Sequence, residues 1–272
     1  MKKLGLIGAG HMAEALLKGL IESGRYKKPE IVVSDIDSKR LQQILSTYGV
    51  NITNNNKEIL RQSNVIILAV KPDAIEVVLN EIKGLLNSGK ILISIAAGIT
   101  TSLISKIIKK KVKLVRVMPN TPALVLMGAS VVYFDSSLNP KERDTVKGIF
   151  ESVGSVDFVE NEKLLDAVTG LSGSGPAFVS MFIDALSDGG VKMGLTKRMA
   201  LRLAAQTVYG TAKLVLEEGR HPAEFKDSVS SPAGTTIEGV HQLELHGFRG
   251  AVISAVESAA LRSRELSKGE YR

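Results

Sequence analysis

Short apolar segments alternate with helical patterns over about the first 110 residues of the chain. The segments that predict β-strands are KLGLIG (3–8), EIVVSD (30–35), NVIILAV (64–70), KILISIA (90–96) and KLVRVM (113–118). Between the first two, Met12, Leu16 and Leu20 have the spacing of one helical face, and Gly24 is expected to end that helix. Such alternation predicts βαβ units and a parallel sheet.

Two of the predicted strands, 64–70 and 90–96, are apolar almost throughout instead of alternating. This is typical of strands whose sheet is covered by helices on both faces. The pattern therefore predicts an α/β, Rossmann-like, doubly wound sheet. Strands over 127–134 and 155–159, with a helix over 141–154 between them, extend a first domain that we expect to span residues 1–160.

From about residue 161 the strand-like segments largely disappear, and helical patterns with Gly or Pro breaks follow. The predicted helices cover 175–194, 196–219 and 247–269. The first has an apolar stripe at Phe178, Phe182 and Leu186, and Gly189 and Gly190 are expected to end or kink it. These alanine-rich helices predict an all-helical domain over 161–272 that also forms a subunit interface. A helical domain in a monomer is the alternative.

The composition, 44% hydrophobic and 23% charged, is that of a folded soluble protein. The longest apolar runs are far shorter than the roughly 20 residues that cross a bilayer, so we expect no membrane partner. The apolar N-terminus is interrupted by three glycines and followed by Glu14, which favours a buried strand and helix over a secretion signal. We therefore expect a cytoplasmic protein.

The charged and metal-ligating residues argue against two further classes, metalloproteins and nucleic-acid-binding proteins. There are no cysteines, and the four histidines lack a metal-ligand spacing, so no metal site is expected. The net charge of +7 comes from scattered lysines and arginines, apart from KIIKKKVK (106–113). That run is better interpreted as a solvated helix end than as a nucleic-acid site, although a positive potential can attract an anionic ligand.

The segment LIGAGHMAEALL has the spacing G-x-G-x-x-[GA] at Gly8, Gly10 and Ala13, between a predicted strand and a predicted helix. The first glycine permits a tight turn, the second lets a pyrophosphate approach the backbone, and Ala13 allows the helix to pack closely on the strand. The phosphates would lie at the positive end of that helix. The segment predicts a dinucleotide site whose contacts are Gly8, Ala9, Gly10, His11 and Met12.

The residues after the second strand bear on the choice of cofactor. Asp35 lies 22 residues beyond Ala13, where an acidic residue commonly holds the ribose hydroxyls of NAD and would repel a 2'-phosphate. Ser34, Lys39 and Arg40 are near enough in sequence to hold such a phosphate. Lys39 and Arg40 are equally well explained as a solvated helix face. The choice between NADH and NADPH stays open, with Asp35 favouring tolerance of NADH.

Several phrases taken together resemble the pyrroline-5-carboxylate reductase family. They are IGAGHMAEA (7–15), LAVKP (68–72), SIAAGI (94–99), RVMPNTPA (116–123), GLSGSGPAF (170–178), AAQTVYGTAKL (204–214), SVSSPAGTTIEGV (228–240) and RSREL (262–266). The resemblance implies reduction of the cyclic imine 1-pyrroline-5-carboxylate to L-proline by NADPH or NADH. It also implies a helical dimerisation domain, a homodimer that exchanges helices, and assembly of such dimers up to a decamer.

The resemblance also implies cofactor contacts outside the glycine-rich loop. They are Asn56 at the adenosine half, Asn120 near the nicotinamide, and Ala69, Val70, Lys71, Pro72, Ala96 and Ala97 beside the cofactor. Each of the last group has a purely structural explanation. Pro72 could begin a helix, Ala96 and Ala97 could pack against the sheet, and Lys71 could be a surface lysine.

The segment SSPAGTTIEG (230–239) suits a carboxylate. Ser231 and Thr235 can cap a helix that begins near Thr236, and its free N–H groups would face an anion. By the resemblance, Thr236 is the catalytic hydroxyl near the imine nitrogen, and Ser231, Gly234, Thr235 and Thr236 bind the substrate. Ala233 stands where the family usually has a glycine, and a positive φ there would cost roughly 1 kcal/mol.

Imine reduction fits a chain that is poor in reactive side chains. Hydride transfer requires the nicotinamide C4 against the C=N carbon, an anchor for the carboxylate and a hydrogen-bond partner for the nitrogen, but no nucleophile and no metal. A dehydrogenase acting on 3-hydroxy acids is disfavoured because the predicted helix from residue 175 has no lysine before Lys192. A dinucleotide sensor without catalysis would leave 230–239 unexplained.

Overall fold

The computed structural model describes residues 3–135 and 137–267. Its sheet has eight strands, β1 Lys3–Ile7, β2 Ile31–Ser34, β3 Asn51–Thr53, β4 Ser63–Leu68, β5 Ile91–Ser94, β6 Lys113–Met118, β7 Gly128–Phe134 and β8 Gly154–Val159. They are ordered β3-β2-β1-β4-β5-β6-β7-β8, and neighbouring strands are parallel except for the antiparallel pair β6 and β7. The predicted strands are confirmed to within about two residues at each end, whereas β3 was not predicted.

Seven α-helices accompany the sheet: α1 His11–Glu22, α2 Ser38–Tyr48, α3 Asn56–Gln62, α4 Ile75–Ile82, α5 Thr101–Ile108, α6 Pro140–Glu151 and α7 Leu164–Val168. They bury the two faces of the sheet in two apolar clusters. One cluster joins Leu4 and Leu6 of β1 to Leu16 of α1, and the other joins Ile66 of β4 to Leu79 of α4. The predicted doubly wound fold is confirmed.

Five further helices are α8 Gly175–Lys192, α9 Lys197–Glu218, α10 Pro222–Ser228, α11 Thr235–Leu245 and α12 Phe248–Ser267. The last two positions of the predicted helix 247–269 lie outside the described residues. Gly189 and Gly190 do not end α8, because the helix continues to Lys192, and a kink at these glycines stays a prediction. A Cβ on Gly190 would lie 3.1 Å from the Cβ of Ala200, so this glycine allows α8 and α9 to pack closely.

Backbone contacts divide the chain into two compact units. Of the described residues, the first unit contains those up to Ser174 together with 257–267, and the second is Gly175–Val256. The C-terminal part of α12 joins the first unit, where Ser263 Oγ donates to Asp166 Oδ1 at 2.8 Å. The boundary expected between residues 160 and 161 concerns functional domains and stays a prediction.

The second unit has almost no interior of its own. Among residues 175–256, all of which the structure describes, only Ser187, Ala200 and Ala204 are buried. Large apolar side chains are exposed instead, among them Met181, Met193, Leu201, Leu203, Leu216, Leu245 and Ile253. No helix in the described part of the chain is long and apolar enough to span a membrane. So much exposed apolar surface indicates a protein–protein interface.

Candidate active site

The glycine-rich loop connects β1 to α1 and has the conformation that its spacing predicts. Gly8 has a φ of +101°, and a Cβ there would lie 2.7 Å from the carbonyl oxygen of Ala69. A Cβ on Gly10 would meet no atom within 4 Å. Gly8 is therefore required for the turn, whereas Gly10 leaves a face of the backbone open to a ligand.

The first turn of α1 has unused hydrogen-bond donors. Its N-cap is Gly10, and no side chain caps it. The N–H groups of His11 and Met12 therefore point out of the N-terminal end of α1. This is also the positive end of the helix dipole, as a phosphate-binding helix requires. Ala13 is fully buried in the core, as close packing of this helix requires. These features fit the pyrophosphate of a dinucleotide.

Asp35 lies beside this loop, directly after β2. Its Oδ2 accepts the N–H of Ala9 at 2.7 Å, and its Oδ1 accepts the N–H of Asp37 at 2.9 Å. The carboxylate is thus fixed at the carboxyl end of the sheet, where a ribose would lie in a protein of this fold. The N–H of Ala9 is already used, so the predicted contact of Ala9 with the cofactor would involve other atoms of the residue.

Ser34 and Asn56 form a pair at the same edge of the sheet. Ser34 is buried, and its Oγ donates to Asn56 Oδ1 at 2.7 Å. Asn56 Nδ2 in turn donates to Glu81 Oε2 at 2.7 Å. Ser34 therefore orients Asn56, which is only partly buried, and a direct contact of either residue with the cofactor stays a prediction.

Arg40 forms a cluster that the sequence pattern did not reveal. Its Nε donates to the carbonyl oxygen of Ala9 at 2.7 Å, and its Nη2 pairs with Glu14 Oε2. Tyr48 donates through its hydroxyl to Glu14 Oε1 at 3.1 Å. The interpretation as a solvated helix face agrees with the exposed Lys39 but is wrong for Arg40.

The charge states within this cluster follow from its contacts. The hydrogen bond and positive charge of Arg40 lower the pKa of Glu14 despite the opposing effect of burial. Burial and the negative charge of Glu14 raise the pKa of Tyr48. At neutral pH, Glu14 is therefore an anion and Tyr48 a neutral donor, which matches their hydrogen bond.

The residues after β4 lie at the same edge of the sheet. The N–H of Ala69 donates to the carbonyl oxygen of Ile7 at 2.8 Å, so this segment continues beside the glycine-rich loop. Pro72 begins a short 3-10 helix, which confirms its structural explanation, and Lys71 is exposed. Val70 is half-buried. A role of these four residues beside the cofactor stays a prediction.

The segments after β5 and β6 complete this edge. Ala96 is buried in the second apolar cluster, in agreement with packing, while Ala97 is partly exposed. Asn120 Oδ1 accepts the N–H of Ala129 at 2.8 Å, which fixes the turn after β6. The structure thus places the predicted cofactor residues at the carboxyl ends of six neighbouring strands, where ligands bind in open α/β sheets.

The substrate segment belongs to the second unit and has an open helix end. Gly234 is the N-cap of α11, and no side chain caps this helix. The expected capping by Ser231 and Thr235 is therefore wrong, because the helix begins one residue earlier and includes Thr235. Ser231 instead closes a turn, in which its carbonyl oxygen accepts the N–H of Gly234 at 3.0 Å.

This difference makes the segment a better anion site than the sequence predicted, since no hydroxyl competes for the free N–H groups. Thr235 and Thr236 are both exposed in the first turn of α11. Ala233 has a φ of +55°, so the strained conformation considered for it is present. This residue sets the turn that leads into the open helix end.

The glycine-rich segment before α8 packs against the end of β6. Residues Thr169–Gly173 form a π-helical turn in which Ser172 Oγ donates to the carbonyl oxygen of Val168 at 3.1 Å. A Cβ on Gly173 would lie 2.5 Å from Met118 Cε, so the small residue permits close packing on the end of β6. Within residues 3–135 and 137–267, no three metal-ligating side chains come together.

A doubly wound sheet, a glycine turn with an open face and an uncapped helix behind it define a Rossmann-type dinucleotide-binding protein. Residues 3–98 match the family described as NADP oxidoreductase coenzyme F420-dependent, and residues 162–266 match pyrroline-5-carboxylate reductase dimerisation. The second match supports oligomerisation through the helical region.

Relatives that match nearly the whole chain agree with its assignment as a Rossmann-type dinucleotide-binding protein. A pyrroline-5-carboxylate reductase of Methanosarcina acetivorans is 44% identical over 98% of each chain, and one of Arabidopsis thaliana is 42% identical over 98% of this chain and 96% of its own. The solved reductase of Coxiella burnetii has a TM-score of 0.92 at 34% identity, with 98% of both chains covered. The chain belongs to the pyrroline-5-carboxylate reductase family.

The solved pyrroline carboxylate reductase of Plasmodium falciparum, which has NADP bound, superimposes with a TM-score of 0.88 at 34% identity and covers 98% of each chain. Its match includes both the sheet and the helical region. The protein is therefore an oxidoreductase of a family that uses a nicotinamide cofactor.

Proposed function

We propose that the protein reduces 1-pyrroline-5-carboxylate to L-proline. A hydride from C4 of NADH or NADPH adds to the C=N carbon, the ring nitrogen keeps or gains one proton, and the oxidised cofactor leaves. The observation that carries the proposal is the uncapped end of α11, with Thr236 in its first turn, in a chain that matches this reductase family over nearly its whole length.

The cofactor binds along the carboxyl edge of the sheet. Its pyrophosphate lies at the N-terminus of α1, against Gly8, Ala9, Gly10, His11 and Met12. Its remaining contacts are Ser34, Asp35 and Asn56 at the adenosine half, Asn120 near the nicotinamide, and Ala69, Val70, Lys71, Pro72, Ala96 and Ala97 between them. The cofactor supplies the hydride, and these residues hold its C4 in position.

The substrate carboxylate binds at the first turn of α11. Ser231 and Gly234 shape the turn, and the N–H groups at Thr235 and Thr236 face the anion. The hydroxyl of Thr236 is then near the imine nitrogen as a hydrogen-bond partner. An unperturbed threonine hydroxyl is a very poor acid, so Thr236 orients the imine or relays a proton from water instead of donating its own.

The direct test is an assay with purified protein, 1-pyrroline-5-carboxylate, and NADH or NADPH in separate reactions. The near-ultraviolet absorbance of the reduced nicotinamide should fall only when protein, imine and cofactor are all present, and L-proline should accumulate in equal amount. If the protein shows no turnover with NADH and none with NADPH, the proposal is contradicted.

The assembly we propose is a homodimer in which subunits exchange helices of the second unit, with dimers associating up to a decamer. The support is the apolar surface of Gly175–Val256, which has no partner within that unit. Burying this surface between copies would make folding depend on association. Sedimentation at micromolar concentration should show no monomer, and the Tm should rise with protein concentration. A monomer with a concentration-independent Tm would contradict the assembly.

A further inference from the structure

We propose that Glu14 determines cofactor specificity, because its pairing with Arg40 withholds that guanidinium from a 2'-phosphate and so favours NADH over NADPH. The inference rests on the proposed cofactor site and concerns only its adenosine half. Glu14 lies on α1, outside every predicted contact, and its effect would pass through Arg40.

The guanidinium of Arg40 is already engaged in several hydrogen bonds. Its Nε donates to the Ala9 carbonyl oxygen at 2.7 Å, its Nη1 to Gln43 Oε1 at 3.3 Å, and its Nη2 pairs with Glu14. Each of the three guanidinium nitrogens therefore already has an acceptor. A guanidinium binds phosphate best through two parallel N–H groups, and a 2'-phosphate would have to compete with these three acceptors for them.

The location of Arg40 makes this engagement relevant to the cofactor. Arg40 holds the carbonyl oxygen of Ala9, while Asp35 holds the N–H of the same residue at 2.7 Å. Arg40 and Asp35 therefore meet at the loop where the adenosine ribose would lie. In proteins of this fold, an acidic residue here binds the 2'-hydroxyl, and a nearby arginine accommodates a 2'-phosphate.

Tyr48 fixes the carboxylate that holds Arg40. Its hydroxyl donates to Glu14 Oε1 at 3.1 Å, which leaves Oε2 to face the guanidinium. The side chains of Arg40 and Glu14 are 25% and 27% exposed, so their pairing is neither fully desolvated nor essential for the core. Removing the charge of Glu14 should therefore release Arg40 without unfolding the domain.

Glu14→Gln is the variant that tests this, because glutamine keeps the shape and can still accept from Tyr48. Binding of NADH and NADPH to the full-length protein is measured by fluorescence anisotropy of the reduced nicotinamide. Adenosine 5'-monophosphate and adenosine 2',5'-bisphosphate serve as competitors that probe the adenosine half alone. The variant should tighten NADPH and the bisphosphate about 3- to 10-fold relative to NADH and the monophosphate.

Two controls separate release of Arg40 from a general change of charge. Glu22→Gln removes one negative charge from the same helix at an exposed residue without contact to Arg40, and it should leave the ratio unchanged. The double variant Glu14→Gln/Arg40→Gln should lose the gain. If Glu14→Gln does not fold, Tyr48→Phe should shift the ratio in the same direction but less, since both charges remain.

Three results would overturn the inference while the proposed function stands: an unchanged ratio in Glu14→Gln, an equal gain in Glu22→Gln, or a gain that persists in the double variant. Failure of the wild-type protein to bind either NADH or NADPH would contradict the proposed function, and the inference would fall with it. A gain specific to Glu14→Gln that requires Arg40 would establish Glu14 as the residue that restrains the guanidinium.

Discussion

Replacing Thr236 by alanine should lower kcat with 1-pyrroline-5-carboxylate about 10- to 100-fold, because one hydrogen bond to the reacting nitrogen is lost. The affinity for NADH and NADPH should be nearly unchanged, since the proposed cofactor contacts belong to the first unit and Thr236 to the second. Steady-state kinetics and cofactor titration of the same preparation measure both quantities. The N–H groups of α11 remain, so the carboxylate should still bind.

The matched control is Thr236→Ser, which keeps a hydroxyl and removes only a methyl group. It should retain most of the wild-type kcat. If Thr236→Ala weakens cofactor binding as much as it slows turnover, the segment 230–239 has been assigned to the wrong part of the site. If the alanine and serine variants are equally slow, the hydroxyl of Thr236 does not account for the loss of turnover.

Gly8→Ala should destabilise the first unit by about 3 kcal/mol or more and abolish cofactor binding. The φ of +101° is one that alanine rarely adopts, and the added Cβ would lie 2.7 Å from the Ala69 carbonyl oxygen. Because that oxygen belongs to the backbone, a side-chain rotation cannot relieve the contact. Urea denaturation measures the loss of stability, and nicotinamide fluorescence measures cofactor binding.

Gly10→Ala is the comparison that separates the two glycines. Gly10 has a φ of −69°, and its added Cβ would meet no protein atom within 4 Å, so stability should hardly change. The methyl group would lie on the open face of the loop and should weaken cofactor binding about tenfold, or roughly 1.4 kcal/mol. Full stability in Gly8→Ala, or full cofactor affinity in Gly10→Ala, would contradict the assigned roles.

The sheet could be predicted because its strands carry a strong local signal. Runs such as 64–70 and 90–96 are apolar on both faces, and the structure covers both faces with apolar clusters. Strand β3, Asn51–Thr53, gave no such signal because it is three residues long, lies at the edge of the sheet and has no fully buried side chain. Its pairing with β2 depends on neighbours that are distant in sequence.

Parts of the candidate site could be predicted where a bound ligand would require a particular backbone conformation. Gly8 and Gly10 are recognisable from their spacing. A positive φ at Ala233 was considered only because the family usually has a glycine there, and the structure shows it. The capping of α11 could not be derived in the same way, because Ser231 and Thr235 are both good caps locally and only the turn decides where the helix begins.

The cluster of Arg40, Glu14 and Tyr48 is the feature of the candidate site that could least be predicted from the sequence. Its members come from two helices and meet at a loop, with 26 and 34 residues separating Glu14 from Arg40 and Tyr48. No periodicity relates such positions, so sequence spacing left Arg40 open between a phosphate ligand and a solvated face. The structure gives it a third role, a restrained guanidinium at the glycine-rich loop.

In the proposed reaction, a hydride passes directly from the nicotinamide to the imine carbon. The measurement that tests it is the reduction of 1-pyrroline-5-carboxylate with cofactor deuterated at the transferred position of C4, followed by mass and NMR analysis of the product. We expect L-proline with one deuterium, at C5, formed in step with cofactor oxidation. Unlabelled proline, deuterium at another carbon, or cofactor oxidation without proline would contradict it.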